Sequence, residues 1–204
     1  MLVLFLILLL AVIAFFKTDV KDKFIKPKYE DVIKSDIDYD SDGIDDYTDI
    51  LNGAKDFISK KPKYKSKYYD GGYPTDEYRV CTDIIWYALK NAGYDFKTLI
   101  DEDIKNNKDE YDEDVGDTNI DFRRVRNIKV YLDRNALKLA NDSDFNPGDI
   151  VVYKKHIAIV SDRVNSKNEN YILHQHMYQA YEYNGLFKNE ILGHYRWRLN
   201  DGKE

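Results

Sequence analysis

Cys81 is the only cysteine in a chain of 204 residues. It cannot form an internal disulfide, so its place in YRVCTDIIWYALKNAG, residues 78–93, asks for another explanation. After it, Ile84, Ile85, Ala88, Leu89 and Ala92 recur at helical spacing, and Gly93 is the expected stop. A thiol at the start of a helix meets free backbone N–H groups and the positive end of the helix dipole. Both favour the thiolate, the nucleophilic form, although Asp83 opposes them. A nucleophilic thiol needs a base, and His156 is the candidate, at the head of a β-branched run. His174, on the next such run, is placed to orient that imidazole and fix its tautomer. His176 shares its strand face and competes for the role, while His194 is read as structural. The resulting chemistry is attack on a carbonyl carbon. A second chemistry uses the same groups: Cys81, His156, His174 and His176 form a mixed N and S set that suits zinc.

The elements that must carry these groups are readable from periodicity. Residues 46–59 repeat Tyr47, Ile50, Leu51, Ala54, Phe57 and Ile58 at helical spacing. Residues 60–74, KKPKYKSKYYDGGYP, form a basic and aromatic loop with Pro and Gly breakers. Residues 101–118 are acidic and poor in apolar groups, so a surface loop is expected there. Residues 119–134 return to helical spacing at Phe122, Val125, Ile128 and Leu132. After the NPGD turn at 146–149 the period changes. Residues 150–162 read as two short strands around Lys154-Lys155, residues 169–176 as a third strand and 190–199 as a fourth. Helices first and an antiparallel sheet after them make an α+β domain over residues 36–200.

Upstream lies a second cluster of chemistry-bearing residues. From Asp38, the run DYDSDGIDDYTD fits a 12-position EF-hand-type calcium loop. Asp38, Asp40 and Asp42 fall at positions 1, 3 and 5 and Gly43 at 6. The Ile44 carbonyl falls at 7, Asp46 at 9 and Asp49 at 12. Position 12 is Asp where Glu is usual, and position 8 is the polar Asp45. The alternative is an acidic, solvated turn that caps the next helix.

The first 16 residues, MLVLFLILLLAVIAFF, carry no polar side chain. As a helix they span about 24 Å, short of the ~30 Å bilayer core but enough for a signal peptide or a membrane anchor. Residues 17–35 read as a linker. Lys17, Lys21 and Lys23 would favour a cytoplasmic side for the domain beyond them. The topology is therefore open, with an extracytoplasmic domain, anchored or secreted, as the expectation. Exported domains tend to hold cysteines in pairs, so an unpaired one points to reactivity. The net charge of -6 argues against a nucleic-acid partner. Eighteen tyrosines against two tryptophans read as composition bias.

Several short blocks, in order, resemble a known family. They are residues 42–49 (DGIDDYTD), Gly72-Tyr73-Pro74, Val80-Cys81-Thr82-Asp83, Asn119-Ile120-Asp121 with Arg123-Arg124-Val125, Pro147-Gly148-Asp149-Ile150-Val151, His156-Ile157 with Ile159-Val160-Ser161-Asp162, His174, and Gly193-His194-Tyr195-Arg196. Together they resemble the bacterial domain-of-unknown-function family 1287, and more broadly the NlpC-type cell-wall cysteine peptidases. The resemblance implies a papain-like α+β fold with Cys81 as nucleophile, His156 as general base and acid, and His174 as the orienting third residue. The oxyanion would sit at the Cys81 backbone N–H. The peptidases usually show Asp-Cys-Ser-Gly where this chain has Val-Cys-Thr-Asp. Tyr73, Tyr78, Asp83, Asp121, Arg123 and Arg124 are the substrate-side candidates. Arg forks suit a substrate carboxylate, and an internal ion-pair network is the competing use. The expected function is an exported thiol hydrolase acting on an amide of cell-wall peptide. An acyltransferase could use the same groups. A zinc site or a non-catalytic, calcium-dependent envelope binding module are the alternatives, and no cofactor beyond structural calcium is expected.

Overall fold

The structure is a computed structural model that describes residue 7, residues 26–142 and residues 144–198. The expectations for the apolar run, residue 7 aside, and for residues 17–25 of the linker fall outside the described residues. Among the described residues, no helix is long and apolar enough to cross a membrane.

Over residues 26–198 the described residues form four α-helices and a mainly antiparallel sheet. The helices are α1 (Asp46–Ser59), α2 (Asp83–Asn91), α3 (Phe96–Asn106) and α4 (Val125–Asn135). The strands are β1 (Lys28–Tyr29), β2 (Lys63–Tyr64), β3 (Tyr78–Arg79), β4 (Leu137–Leu139), β5 (Ile150–Tyr153), β6 (His156–Val164), β7 (Asn170–Gln175), β8 (Ala180–Tyr183) and β9 (Gly193–Arg196). The main sheet runs β4-β9-β5-β6-β7-β8, and β1 pairs with β6 beyond this path. All its pairings are antiparallel. The short β2 and β3 pair in parallel, and Lys63 also bridges to Gln179 beside β8.

Period-two alternation explains the layers. Ile150, Val152, Ile157, Ile159 and Leu173 face a core shared with Ile50, Leu51, Phe57, Ile84, Ile85 and Leu89 of α1 and α2. Their neighbours Val151, Tyr153, Ala158, Val160 and Ile172 face the other way, into a smaller cluster closed by Leu186 and Ile191. Each fully buried aliphatic side chain contributes about 1.5–3 kcal/mol by leaving water. The helix starts are locally encoded. Asp45 caps α1 by accepting from the Thr48 backbone N–H, and Asp95 caps α3 by accepting from Thr98.

Four expectations need correction. Residues 101–118 are not wholly a loop, because α3 runs into them and a short 3-10 turn comes after it at Lys108–Glu110. Phe96, Ile100 and Ile104 are buried at four-residue spacing, a stripe that the surrounding acids hide from a count of apolar residues. The helix expected over 119–134 divides into a 3-10 turn, Asp121–Arg123, and α4. Strands β4 and β8 widen the expected sheet. Finally, the linker is docked from residue 28, where β1 pairs with the far end of β6 and the Ile33 N–H donates to Asn146 Oδ1 at 2.8 Å.

Candidate active site

Cys81 lies two residues before the first residue of α2, with Thr82 between them. It is half-buried. The expected effect of the helix start on the thiol is overridden: burial pushes Cys81 up to about 11. Asp83 adds to this, while backbone hydrogen bonds, that of Ile157 foremost, pull the other way. The Ile157 contact places the sulfur beside the residue after His156.

His156 starts β6 directly after the Lys154-Lys155 turn, opposite Tyr153 of β5. Its Nε2 lies 2.8 Å from Nδ1 of His174. The β6–β7 register aligns Ile159 with Leu173, and alternation then puts His156, His174 and His176 on the face turned away from α1 and α2. The two rings of the bonded pair meet edge to face, with centroids 5.0 Å apart. Burial, then the charge of His176, lowers His156 to about 4. Burial, then His156 and His176, lowers His174 to about 3. At neutral pH the resting site therefore holds a protonated thiol and two neutral imidazoles.

The pair has a definite proton logic. His156 Nε2 is engaged by His174, so Nδ1 is the nitrogen of His156 left for other chemistry. If Nε2–H donates to His174, Nδ1 carries a lone pair and is a base. The His174 ring is 3 % exposed, and its Nε2 is buried without a hydrogen-bond partner. Around it, Tyr183 stacks at 5.4 Å and Tyr181 meets it edge-on at 4.8 Å. This apolar packing keeps the second imidazole neutral.

Cys81, His156, His174 and His176 line one pocket of about 510 Å³ at the end of the sheet, together with Tyr64, Tyr153, Lys155, Met177, Tyr181 and Tyr183. Sequence reading placed the three candidate catalytic residues but missed this wall. The tyrosine excess is not composition bias alone, since four tyrosines build the pocket. The signal was Tyr181-x-Tyr183, whose alternation places both rings on the His174 face.

The six substrate-side candidates do not line this pocket. Asp83, fully buried, is held by both arms of Arg123 at 2.8 and 2.9 Å and also accepts from Trp86 Nε1 and the Val80 N–H. Asp121 accepts from the Gly116 N–H and the Asn127 side chain, and Arg124 pairs with Asp114 and Asp121. Tyr73 donates to Asp95 at 2.9 Å, and Tyr78 lies under the cations of Lys65 and Lys67. The internal ion-pair use thus describes Asp83, Asp121, Arg123 and Arg124. These contacts fix the Cys81 turn from below, since Thr82 Oγ1 also donates to the Arg123 carbonyl. His194 is structural, as read: fully buried, it sits 2.8 Å from Asp149 Oδ2, which Arg196 also grips.

Among the described residues, the carboxylate, imidazole and thiol groups close enough to share one metal ion are those of Asp38, Asp40 and Asp42, all exposed. The cysteine–histidine set is not gathered that closely.

The sequence blocks from Gly72 onward fall within one family profile, while residues 42–49 lie before it. The family described as Domain of unknown function (DUF1287) matches residues 51–197. The chain belongs to this family. It is also 32% identical over 164 residues to "Uncharacterized protein YijF" of Escherichia coli (strain K12), covering 72% of this chain and 80% of that protein. No solved structure gives a significant match.

Proposed function

We propose that this domain is a thiol hydrolase that cleaves an amide bond, with Cys81 as nucleophile, His156 as base and His174 as the orienting group. The observation that carries the reading is the 2.8 Å His156–His174 bond in a pocket that also takes in the one cysteine. A helix-leading cysteine beside an antiparallel sheet bearing the histidines supports a papain-like arrangement, related to the NlpC-type peptidases.

The resting groups are neutral, so the proton moves as the bond forms. Sγ attacks the amide carbonyl while its proton passes to His156 Nδ1. The C–N bond then breaks, the proton leaves with the amine, and a thioester remains. Water, deprotonated by the same nitrogen, releases the acid and restores the thiol. His174 holds the tautomer that keeps Nδ1 basic. The substrate class we propose is cell-wall peptide, and the place extracytoplasmic. Both rest on the family resemblance and on the apolar run at residues 1–16.

The test combines two readouts on the full chain in mild detergent. A peptidyl acyloxymethyl ketone should label Cys81, and His156→Ala should remove the labelling. Incubation with muropeptides should release new amino termini, and Cys81→Ala should abolish the release. A thiol indifferent to the ketone would overturn the hydrolase. Labelling without muropeptide cleavage would overturn the wall substrate alone.

A further inference from the structure

The Asp-rich loop before α1 has no part in the thiol chemistry, and it lies before the first residue matched by the family. Three of its ligand-type carboxylates are already assembled. One oxygen each from Asp38, Asp40 and Asp42 lies within 4.8 Å of the others. Asp38 accepts from the backbone of Asp42 and Gly43, which winds the loop around its first carboxylate. Gly43 takes a φ of +93° at the tightest point, a conformation that glycine adopts without strain. Among the described residues, none of Asp38, Asp40, Asp42, Asp46 and Asp49 has a lysine or arginine partner.

A clustering of exposed acids would by itself mean little. The independent observation is Asp49. It is 2 % exposed, on the first turn of α1, three residues after Asp46. One of its oxygens takes the Asn91 amide, weakly, at 3.4 Å. The other, Oδ2, is buried and accepts no hydrogen bond. The strongest charges acting on it are those of Asp42, Asp40, Asp46 and Asp38, so it lies against the loop. A buried carboxylate oxygen facing four more carboxylates, with no cation among its protein neighbours, is an uncompensated site.

We infer that residues 38–49 bind one hard divalent cation, calcium in preference to magnesium, with Asp38, Asp40, Asp42, the Ile44 carbonyl and Asp49 as ligands. Calcium suits the set because it takes six to eight oxygens in loose geometry, whereas magnesium demands a near-ideal octahedron. Asp46 has a different role from that of a free ligand. Its oxygens take the Tyr39 N–H at 2.9 Å and the Tyr94 hydroxyl, so it supports the loop or reaches the ion through water. Asp45, at the polar position 8, faces away to cap α1 and pair with Lys34.

Binding would be felt at the α2–α3 turn. Tyr39 stacks on Tyr94 at 4.2 Å, Asn91 reaches the Asp49 carbonyl at 3.0 Å, and Gly93 packs so closely that a Cβ there would lie 2.7 Å from that of Asp40. The cation would therefore pin the loop to the far end of the helix that Cys81 leads.

The experiment is a calcium chloride titration of the full chain in mild detergent at physiological ionic strength, read by calorimetry and thermal unfolding. One saturable site with Kd between about 10⁻⁶ and 10⁻³ M is expected. At a hundredfold excess over Kd, Tm should rise by about 5–10 °C. Asp49→Asn and the exposed Asp40→Asn should each weaken binding at least tenfold without lowering the calcium-free Tm. Asp36→Asn, an acid outside the loop, should leave binding intact. The inference is overturned by the lack of a saturable site up to about 10 mM calcium, by equal binding in Asp49→Asn, or by equal weakening in Asp36→Asn. None of these outcomes depends on whether Cys81 is a nucleophile.

Discussion

The cysteine–histidine pocket and the Asp-rich loop treat burial in opposite ways. Each contains a buried polar atom without a partner, Nε2 of His174 in the first and Oδ2 of Asp49 in the second. Burial drives both groups towards their uncharged forms, since it lowers His174 to about 3 and raises Asp49 to about 6. In the proposed mechanism the uncharged form of the histidines is the one required, because a neutral imidazole is a base. For the inferred cation site the uncharged form is unfavourable, because a protonated carboxyl is a poor cation ligand. A third cluster shows a buried charge that is satisfied: Asp83, at 0 % exposure, is met by Arg123, Trp86 and a backbone N–H. Burial alone therefore does not identify function.

The largest expected effects come from removing groups that are matched. Cys81→Ala should abolish amide cleavage altogether with little change in Tm, because the half-buried thiol loses only one atom. A mutant that still cleaves would transfer the activity to other groups. Arg123→Ala should cost about 3–5 kcal/mol in urea unfolding, since it strands the Asp83 carboxylate inside the protein. A loss below about 1 kcal/mol would mean that Asp83 is relieved by water. His174→Phe should cut turnover by roughly 10²–10⁴-fold through loss of the tautomer, while stability holds. Equal turnover would remove His174 from the proposed mechanism.

The smallest effect is in the pH dependence of stability, and its sign separates the two regions. His156 and His174 have folded values of about 4 and about 3, below the ordinary 6.5. The unfolded chain thus binds protons first, and stability falls as pH drops from about 6.5 towards 4. Asp49 has a folded value of about 6, above the ordinary 3.8. The folded chain takes that proton first, so its contribution is fully present below 3.8 and is lost as pH rises through 6. Urea midpoints measured from about pH 7.5 to 4 should therefore fall less steeply in His174→Phe and more steeply in Asp49→Asn. Parallel curves for both variants would mean that neither group titrates in this window.

How much of this was readable depends on whether the signal is local. The α1 helix and the Lys154-Lys155 turn rest on spacing within one segment, and the structure places them as read. The stripe of α3 was missed because its three apolar residues sit among acids. Strand β8, with the sequence AYEY, carries too few β-branched residues to stand out, so the tyrosine wall went with it. The thiol was misjudged for another reason: a helix start is visible in sequence, but the depth of burial that outweighs it is a property of the assembled sheet. The partners of Asp83 and Arg123, 40 residues apart, likewise emerge only when the 3-10 turn folds against α2.

The two-residue strand β2 carries a mechanical consequence. Lys63 pairs with Tyr78, three positions before the cysteine, and bridges to Gln179, three positions after His176. One short stretch of backbone thus stitches the wall that carries sulfur to the wall that carries imidazole. Those walls are otherwise distant along the chain and belong to different layers. This stitch bounds the gap between Cys81 and the histidines. Loosening the loop at residues 60–65 would change the spacing of Cys81 and the histidines without touching any of them.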